Sequence, residues 1–340
     1  MERKTINTAR NLGSPAPNKA AGEPTAMPGH IAMLSAAIIW GVMIPLVKDV
    51  LLTGKISGLA LSATRVAGAA AIFWLASWIL PRRITGDRPL DRRDLPLLFV
   101  ASIFIVSLNQ ALFIVGIGLT TPIESAVMAT MTPVFTLIFA AIFISMPMTL
   151  MKVGGVVMGL AGAIWLSISA AASATTAAPA PLVGDIMCLI AQISAAIYFV
   201  GFRSLIARYG AFTMMKWLFL ISSITYVPFV TPQLLHGAWA ELSVANWLSI
   251  AYIVFFGSFI SYILMPIAQM HLKPTTVAMY NYVQPVTTAA LAAVLGTASF
   301  GLTKTAAALL IFVGVALVAK SPGHRGVADE HHSTNDTRHG

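Results

Sequence analysis

Residues 124–143, ESAVMATMTPVFTLIFAAIF, and residues 275–296, TTVAMYNYVQPVTTAALAAVLG, decide the fold of this chain. Each stretch is largely apolar with a proline inside it, and about 20 apolar residues in a helix cross the hydrocarbon core of a bilayer. Aligning Pro133 with Pro285 also aligns, without a gap, a ladder of identical residues: Ala126 with Ala278, Thr136 with Thr288, Ala140 with Ala292, Leu150 with Leu302, Lys152 with Lys304 and Gly162 with Gly314. A ladder of this length at one offset indicates an internal repeat.

The overall composition predicts a membrane protein. Of the 340 residues 57% are apolar and 10% are charged, and the mean hydropathy is +0.82, whereas soluble domains carry about 25% charged residues. The formal charge of +9 does not indicate a nucleic-acid partner, because the Lys and Arg residues lie between the apolar runs. The single cysteine, Cys188, excludes an intrachain disulfide.

Apolar runs separated by charged, Pro or Gly breaks divide the chain into ten predicted spans. They lie at 31–51, 56–80, 95–117, 121–145, 150–170, 184–205, 212–230, 246–269, 275–296 and 303–319. Five spans fall in a first unit at 31–170 and five in a second at 184–320, joined by a predicted external linker at 171–183. The polar segments 1–30 and 321–340 are predicted to be disordered cytoplasmic tails.

The distribution of basic residues predicts the orientation, since cytoplasmic loops carry the excess of Lys and Arg. With the amino terminus inside, five arginines between positions 82 and 93 fall on the cytoplasmic side, whereas the outer segments hold only Lys48, Lys55 and Lys304. Both termini are therefore predicted to be cytoplasmic in a multi-pass protein. Each repeat has five spans, an odd number, so the second copy enters the membrane in the opposite orientation. Consistent with this, Lys152 falls on the inside and its counterpart Lys304 on the outside.

Inverted repeats let a site near the bilayer midplane be reached from either side in turn. The sequence thus predicts an all-α integral membrane fold with ten transmembrane helices, arranged as two inverted five-helix repeats around a central cavity. The predicted function is a secondary transporter working by alternating access. No GxxxxGK[ST] loop occurs in the sequence, so ATP hydrolysis within this chain is not the expected energy source.

Several motifs resemble those of the EamA-type family of drug/metabolite transporters. They are AAIIWGVMIPLVK (36–48), ATRVAGAA (63–70), VGDIMCLIAQISAAIYFV (183–200) and the two proline-containing stretches, followed by LMKVGGVVMGLAGAIWL (150–166) and LTKTAAALLIFVGVALV (302–318). The resemblance implies ten helices, a central cavity, peripheral fifth and tenth helices, and export of amino acids or related metabolites across the inner membrane. The Glu that usually follows the proline helix is missing: ISMPMTL (144–150) and GTASFGL (296–302) stand in its place.

Polar side chains inside spans are the best indicators of a substrate path, because lipid-facing polar groups are costly. Tyr280 and Gln284 share one helix face with Asn281 beside them, and Thr132 occupies the position of Gln284 in the first repeat. We predict that these four bind substrate. Plain hydrogen bonding between helices is an open alternative for this set.

Amides and a cation lie in the earlier spans. Asn109 and Gln110 are deep in the third span, and amides offer both donors and an acceptor to a zwitterionic ligand. We predict them as substrate-binding residues, with contacts between helices as the alternative. Arg65 is the one cation well inside a span. It could hold a substrate carboxylate, but we favour a structural role in which backbone carbonyls bind it.

Aromatic residues within the spans complete the candidate site. Trp40, Tyr198 and Tyr262 are predicted to line the path, because a polar-tipped ring at membrane depth usually finds a polar partner. No catalytic, metal or cofactor site is predicted, since the HExxH and GxSxG motifs are absent. The expected partners are a small-molecule substrate and the lipid bilayer, with protons as a candidate coupling ion and a homodimer as a candidate assembly. A channel, or a translocator of lipids or hydrophobic drugs, is the alternative to a metabolite exporter, and an intramembrane enzyme is disfavoured.

Overall fold

The computed structural model describes residues 26–171, 178–294 and 302–321, and the regular structure within them is entirely helical. The predicted tails lie outside these residues except for 26–30 and Ser321, as do residues 172–177 of the predicted linker.

The first half of the chain begins with long helices and continues with broken ones. Its helices are α1 (Met27–Leu52), α2 (Gly58–Ile79), α3 (Arg82–Thr85), α4 (Leu95–Ser102), α5 (Asn109–Leu119), α6 (Pro122–Ala129), α7 (Met131–Phe143) and α8 (Leu150–Ala171). A π-helical turn, Ile103–Leu108, joins α4 to α5. The start of α6 is fixed by its sequence, because Thr121 and Glu124 form a reciprocal capping box around Pro122.

The second half follows the same plan. Its helices are α9 (Pro181–Gly201), α10 (Arg203–Leu235), α11 (Val244–Val254), α12 (Ser261–His271), α13 (Pro274–Met279), α14 (Val283–Val294) and α15 (Leu302–Lys320). A π-helical turn, Phe255–Ile260, joins α11 to α12, and a 3-10 turn, Tyr280–Tyr282, joins α13 to α14. Within α10 the path bends at Gly210, whose φ of 76° suits a residue without a Cβ.

Helix boundaries recur at the offset that aligns the two prolines in sequence. The π-helical turns begin at positions 103 and 255, which are 152 residues apart. The same separation relates the first residues of α5 and α12, of α6 and α13, of α7 and α14, and of α8 and α15. The two halves therefore repeat local structure as well as sequence.

Seven helical segments within the described residues are long and apolar enough to cross a membrane. They are Met27–Leu52, Gly58–Ile79, Arg92–Leu119, Glu124–Phe143, Pro181–Gly201, Arg203–Leu235 and Val244–His271. Two further apolar helices, Leu150–Trp165 and Thr305–Lys320, are shorter. The segments agree with an all-helical membrane fold, and the count of ten spans stays a prediction.

Helix packing leaves a central space between the halves. α1 contacts α12 and α14 of the second half, α5 and α7 contact α9, and α2 contacts α10. α8 and α15 pack on each other so closely that a Cβ on Gly314 would lie 2.6 Å from the carbonyl oxygen of Gly155. The interior between α1, α2, α5, α9 and α12 is where the polar residues of the spans converge.

Candidate functional site

A cavity lies inside the helix bundle, and both halves of the chain contribute to its wall. It contains about 540 Å³ of empty space, a figure that includes open solvent at its mouth. Apolar and aromatic side chains alternate in the wall with five amides, from Asn109, Gln110, Gln192, Asn281 and Gln284. No carboxylate lies among the described lining residues.

The offset that relates the repeats also relates the walls of the cavity. Ten of the fifteen lining residues form five pairs separated by 152 positions: Trp40 and Gln192, Met43 and Ala195, Gln110 and Tyr262, Phe113 and Met265, and Ala129 and Asn281. Equivalent positions from two repeats meet in this way when the axis relating the repeats passes through the cavity. The cavity is therefore built by both repeats with the same helix faces.

The π-helical turns place backbone carbonyls within hydrogen-bonding reach of side chains that line the cavity. The carbonyl oxygen of Gly257 accepts hydrogen bonds from Trp40 Nε1 (3.1 Å) and from Arg65 Nη2 (3.3 Å). The equivalent carbonyl in the first repeat, that of Ile105, accepts a hydrogen bond from the Tyr262 hydroxyl (3.4 Å). Such turns loosen the regular i to i−4 ladder and are frequent at functional sites. Here they provide acceptors to side chains of the other half.

Arg65 is the charged residue of the cavity wall. It is 2% exposed, and its Nε donates to the Ser258 hydroxyl (3.0 Å) in addition to the bond with Gly257. Both partners are neutral, and none of the ion pairs among the described residues includes Arg65. The cavity therefore carries a positive charge that no protein carboxylate neutralises within the described part of the chain.

The amides of the wall keep hydrogen-bonding capacity for a ligand. Asn109 Nδ2 donates to the Ala191 carbonyl (2.7 Å), which leaves its side-chain oxygen as an acceptor. Gln284 Nε2 donates to Asn281 Oδ1 (3.0 Å). The side-chain oxygen of Gln284 and the side-chain nitrogen of Asn281 are therefore uncommitted. The amide of Gln110, a residue that is 1% exposed, makes no hydrogen bond of acceptable geometry with the described residues. These groups can serve both donors and acceptors of a substrate.

Comparison with known proteins identifies the family. The sequence pattern of the EamA-like transporter family matches this chain twice, over residues 27–168 and again over residues 182–320. The chain belongs to the EamA-like transporter family. Membership confirms the resemblance found in the motifs, and it assigns the chain to transporters rather than to enzymes. The all-helical, membrane-spanning class predicted from composition is confirmed with it.

Relatives of this EamA-like chain are also named as transport proteins. An "Uncharacterized transporter" of Archaeoglobus fulgidus is 25% identical over 198 residues, which cover 58% of this chain and 68% of that protein. A "Probable terminal-alkyne amino-acid exporter" of Streptantibioticus cattleyicolor is 24% identical over 252 residues, 73% of this chain and 80% of that protein. A solved structure called "Crystal structure of protein" has a TM-score of 0.67 at 19% identity and covers 85% of this chain and 95% of its own, which shows a shared fold.

Six of the nine residues predicted from sequence to bind substrate line the cavity of this EamA-like transporter. They are Trp40, Asn109, Gln110, Tyr262, Asn281 and Gln284. They come from α1, α5, α12, the 3-10 turn Tyr280–Tyr282 and α14, and the structure brings them to one place.

The other three predicted residues lie outside the cavity wall. Thr132 is directly behind it, where its hydroxyl donates to Gln192 Oε1 (2.7 Å). Tyr280 bonds instead to His30, with 2.7 Å between its hydroxyl and Nδ1. Tyr198 is fully buried against Phe202, and its hydroxyl has no hydrogen bond with the described residues.

Two polar residues of the wall were not predicted as binding residues from the sequence. They are Arg65, for which the sequence favours a structural role, and Gln192. The repeat register carried a signal for the second, because Gln192 stands 152 positions after Trp40, a residue already chosen. Arg65 is marked in the sequence as the one cation well inside a span, but the repeat register adds nothing, since its counterpart in the second repeat is the uncharged Trp217.

Proposed function

We propose that this chain is a secondary transporter with ten transmembrane helices, arranged as two inverted five-helix repeats at 31–170 and 184–320, that works by alternating access. The two matches of the family and the helix boundaries 152 residues apart support the repeat. Five spans per copy make the copies inverted, and such repeats place the substrate between them near the midplane.

The observation that carries this function is the paired wall of the cavity. Residues such as Gln110 and Tyr262 occupy equivalent positions of the two repeats and line one space. If the halves exchange conformations, the same residues face the same ligand while the opening moves from one side to the other.

The proposed substrates are small polar or amphipathic metabolites, with amino acids first, and the proposed direction is export. The mixture of amides with aromatic and apolar side chains suits an amphipathic ligand. The relative from Streptantibioticus cattleyicolor is named a probable amino-acid exporter, and it supports this class at 24% identity. We place both termini in the cytoplasm because of the basic loop at 82–93. The inner membrane is proposed from the family. Protons as coupling ion and a homodimeric assembly are parts of the proposal.

Counterflow in proteoliposomes tests this function. Vesicles loaded with one unlabelled amino acid at a time are diluted into buffer with a trace of the labelled form. A carrier gives transient uptake that saturates with concentration and that the Asn109→Ala and Gln284→Ala variants weaken. Uptake that rises linearly and without counterflow would indicate a channel. Movement of labelled lipid in place of amino acids would favour the translocator alternative.

A further inference from the structure

The cavity wall is nearly matched between the repeats, but its charge is not. Arg65 on α2 lines the cavity, whereas its counterpart at position 217 on α10 is a tryptophan that does not. No other charged side chain belongs to the described wall. A single positive charge therefore lies on the first-repeat side of a cavity in which ten of the fifteen lining residues are paired between the repeats.

The hydrogen bonds of Arg65 do not account for its charge. A guanidinium has five N–H donors, and the bonds to Ser258 Oγ and Gly257 O use two of them. Both acceptors are neutral, and the Gly257 carbonyl already accepts a bond from Trp40. A neutral donor could fix α2 to the π-helical turn in the same way, so a structural role does not require a cation here.

A cation at membrane depth is costly unless it faces a water-filled space or a counter-charge. Arg65 is 2% exposed and no ion pair of the described residues includes it. At the cavity wall, a ligand can supply the negative charge that the described protein residues do not. A planar guanidinium matches the two oxygens of a carboxylate.

We propose that the cavity selects substrates that carry a carboxylate, and that Arg65 binds this group. The apolar part of the substrate then lies against Met43, Phe113 and Met265, while the uncommitted amide groups of Asn109 and Gln284 accept from its amine or hydroxyl. The proposed class is a small carboxylic acid with an apolar side chain, of which apolar amino acids are one kind. This inference rests on the proposed transport function and narrows its substrates.

Binding of four related probes to the purified full-length protein tests the proposal. The probes are L-phenylalanine, 3-phenylpropionate, L-phenylalaninamide and phenethylamine, and thermal stabilisation and titration calorimetry report their affinities. The first two carry a carboxylate and the last two do not. We expect both carboxylates to bind about 10- to 100-fold more tightly than the amide and the amine, the range typical of hydrogen bonds to a charged group.

Variants of the arginine separate recognition from folding. Arg65→Gln should remove the preference for the carboxylates, and Arg65→Lys should retain part of it because the charge remains while the paired geometry is lost. Arg83→Gln is the matched control, since Arg83 is an exposed arginine outside the cavity and its loss changes the net charge equally. If Arg65→Gln does not fold, the carboxylate preference of the wild type and its reduction in Arg65→Lys still test whether Arg65 binds the carboxylate.

The outcomes separate this inference from the proposed function. Three results would overturn the role of Arg65. They are equal affinity of the wild type for L-phenylalanine and L-phenylalaninamide, a carboxylate preference that is unchanged in Arg65→Gln, and no binding of either carboxylate. Counterflow of amino acids without carboxylate preference would leave the transporter and remove this inference. A carboxylate preference that depends on Arg65, without counterflow, would keep the binding site and reject the transport mechanism.

Discussion

Asp87, in the loop between α2 and α4, provides a quantitative test of how the basic loop is held to the bundle. Its carboxylate accepts hydrogen bonds from Ser77 on α2 (2.8 Å) and from Thr213 on α10 (2.9 Å), and it forms an ion pair with Lys216. The side chains of the ion pair are 12% exposed for Asp87 and 7% exposed for Lys216. One carboxylate thus ties the loop to two helices.

Asp87→Asn keeps the shape of the side chain and leaves Lys216 buried without a counter-charge. Breaking a buried ion pair by removing one partner costs about 3–5 kcal/mol, and we expect the lower end because this pair retains some exposure. The apparent melting temperature should fall by several degrees. The double variant Asp87→Asn, Lys216→Met removes both charges and should recover most of the loss, because apolar replacement of a buried pair is often neutral.

The pH dependence of the melting temperature gives an independent check. Burial opposes ionisation of Asp87, but the hydrogen bonds from Lys216, Ser77 and Thr213 outweigh it and hold its pKa below the usual 3.8. A carboxylate with a lowered folded-state pKa stabilises the fold above its unfolded pKa, and this stability is lost as the pH falls through the folded pKa. The wild type should therefore lose stability below about pH 4, and Asp87→Asn should lose less.

Thermal unfolding in detergent, followed by intrinsic fluorescence, measures both effects. The reasoning is refuted if Asp87→Asn has the same melting temperature as the wild type, or if the double variant melts at as low a temperature as the single one.

Three further predictions concern the interior. Thr132→Val should weaken probe binding several-fold, because it removes the donor that orients Gln192 (2.7 Å), and calorimetry will show whether affinity is retained instead. Gly314→Ala should lower the melting temperature, since its Cβ would lie 2.6 Å from a carbonyl of α8, whereas the control Gly154→Ala, with nothing within 4 Å, should not. Cys188 is fully buried, so it should react with a maleimide only after denaturation; rapid labelling of the native protein would contradict this packing.

The sequence predicted the cavity residues well where membrane energetics constrain them. Asn109 and Gln284 were chosen because a polar side chain within a span must face the interior, and both line the cavity. Tyr280 was placed with Gln284 by the helical period of 3.6 residues. The 3-10 turn Tyr280–Tyr282 interrupts that period, and Tyr280 bonds to His30 instead. A local change of helix type thus turns Tyr280 away from the cavity that Asn281 and Gln284 line.

The sequence marks Arg65 as the one cation well inside a span, but it does not show what the guanidinium contacts. Its two hydrogen-bond partners, Gly257 and Ser258, are 192 and 193 residues away in the chain. The π-helical turn that presents them has no proline or glycine pair to mark it in advance. Whether a buried cation has a counter-charge depends on tertiary packing, so only the structure separates a paired arginine from an unpaired one.

Equivalent threonines of the two repeats make different contacts. The hydroxyl of Thr288 on α14 donates to the Gly41 carbonyl of α1 (2.8 Å), whereas that of Thr136 on α7 is buried without a hydrogen bond to the described residues. Sequence and helix boundaries make the two sites alike, so the difference lies in how each helix packs against its neighbour. Halves that share a plan but differ in conformation are what an inverted-repeat carrier requires in any one state. In the alternating-access cycle that we propose, exchange of the two packings would form a bond at Thr136 and break the one at Thr288.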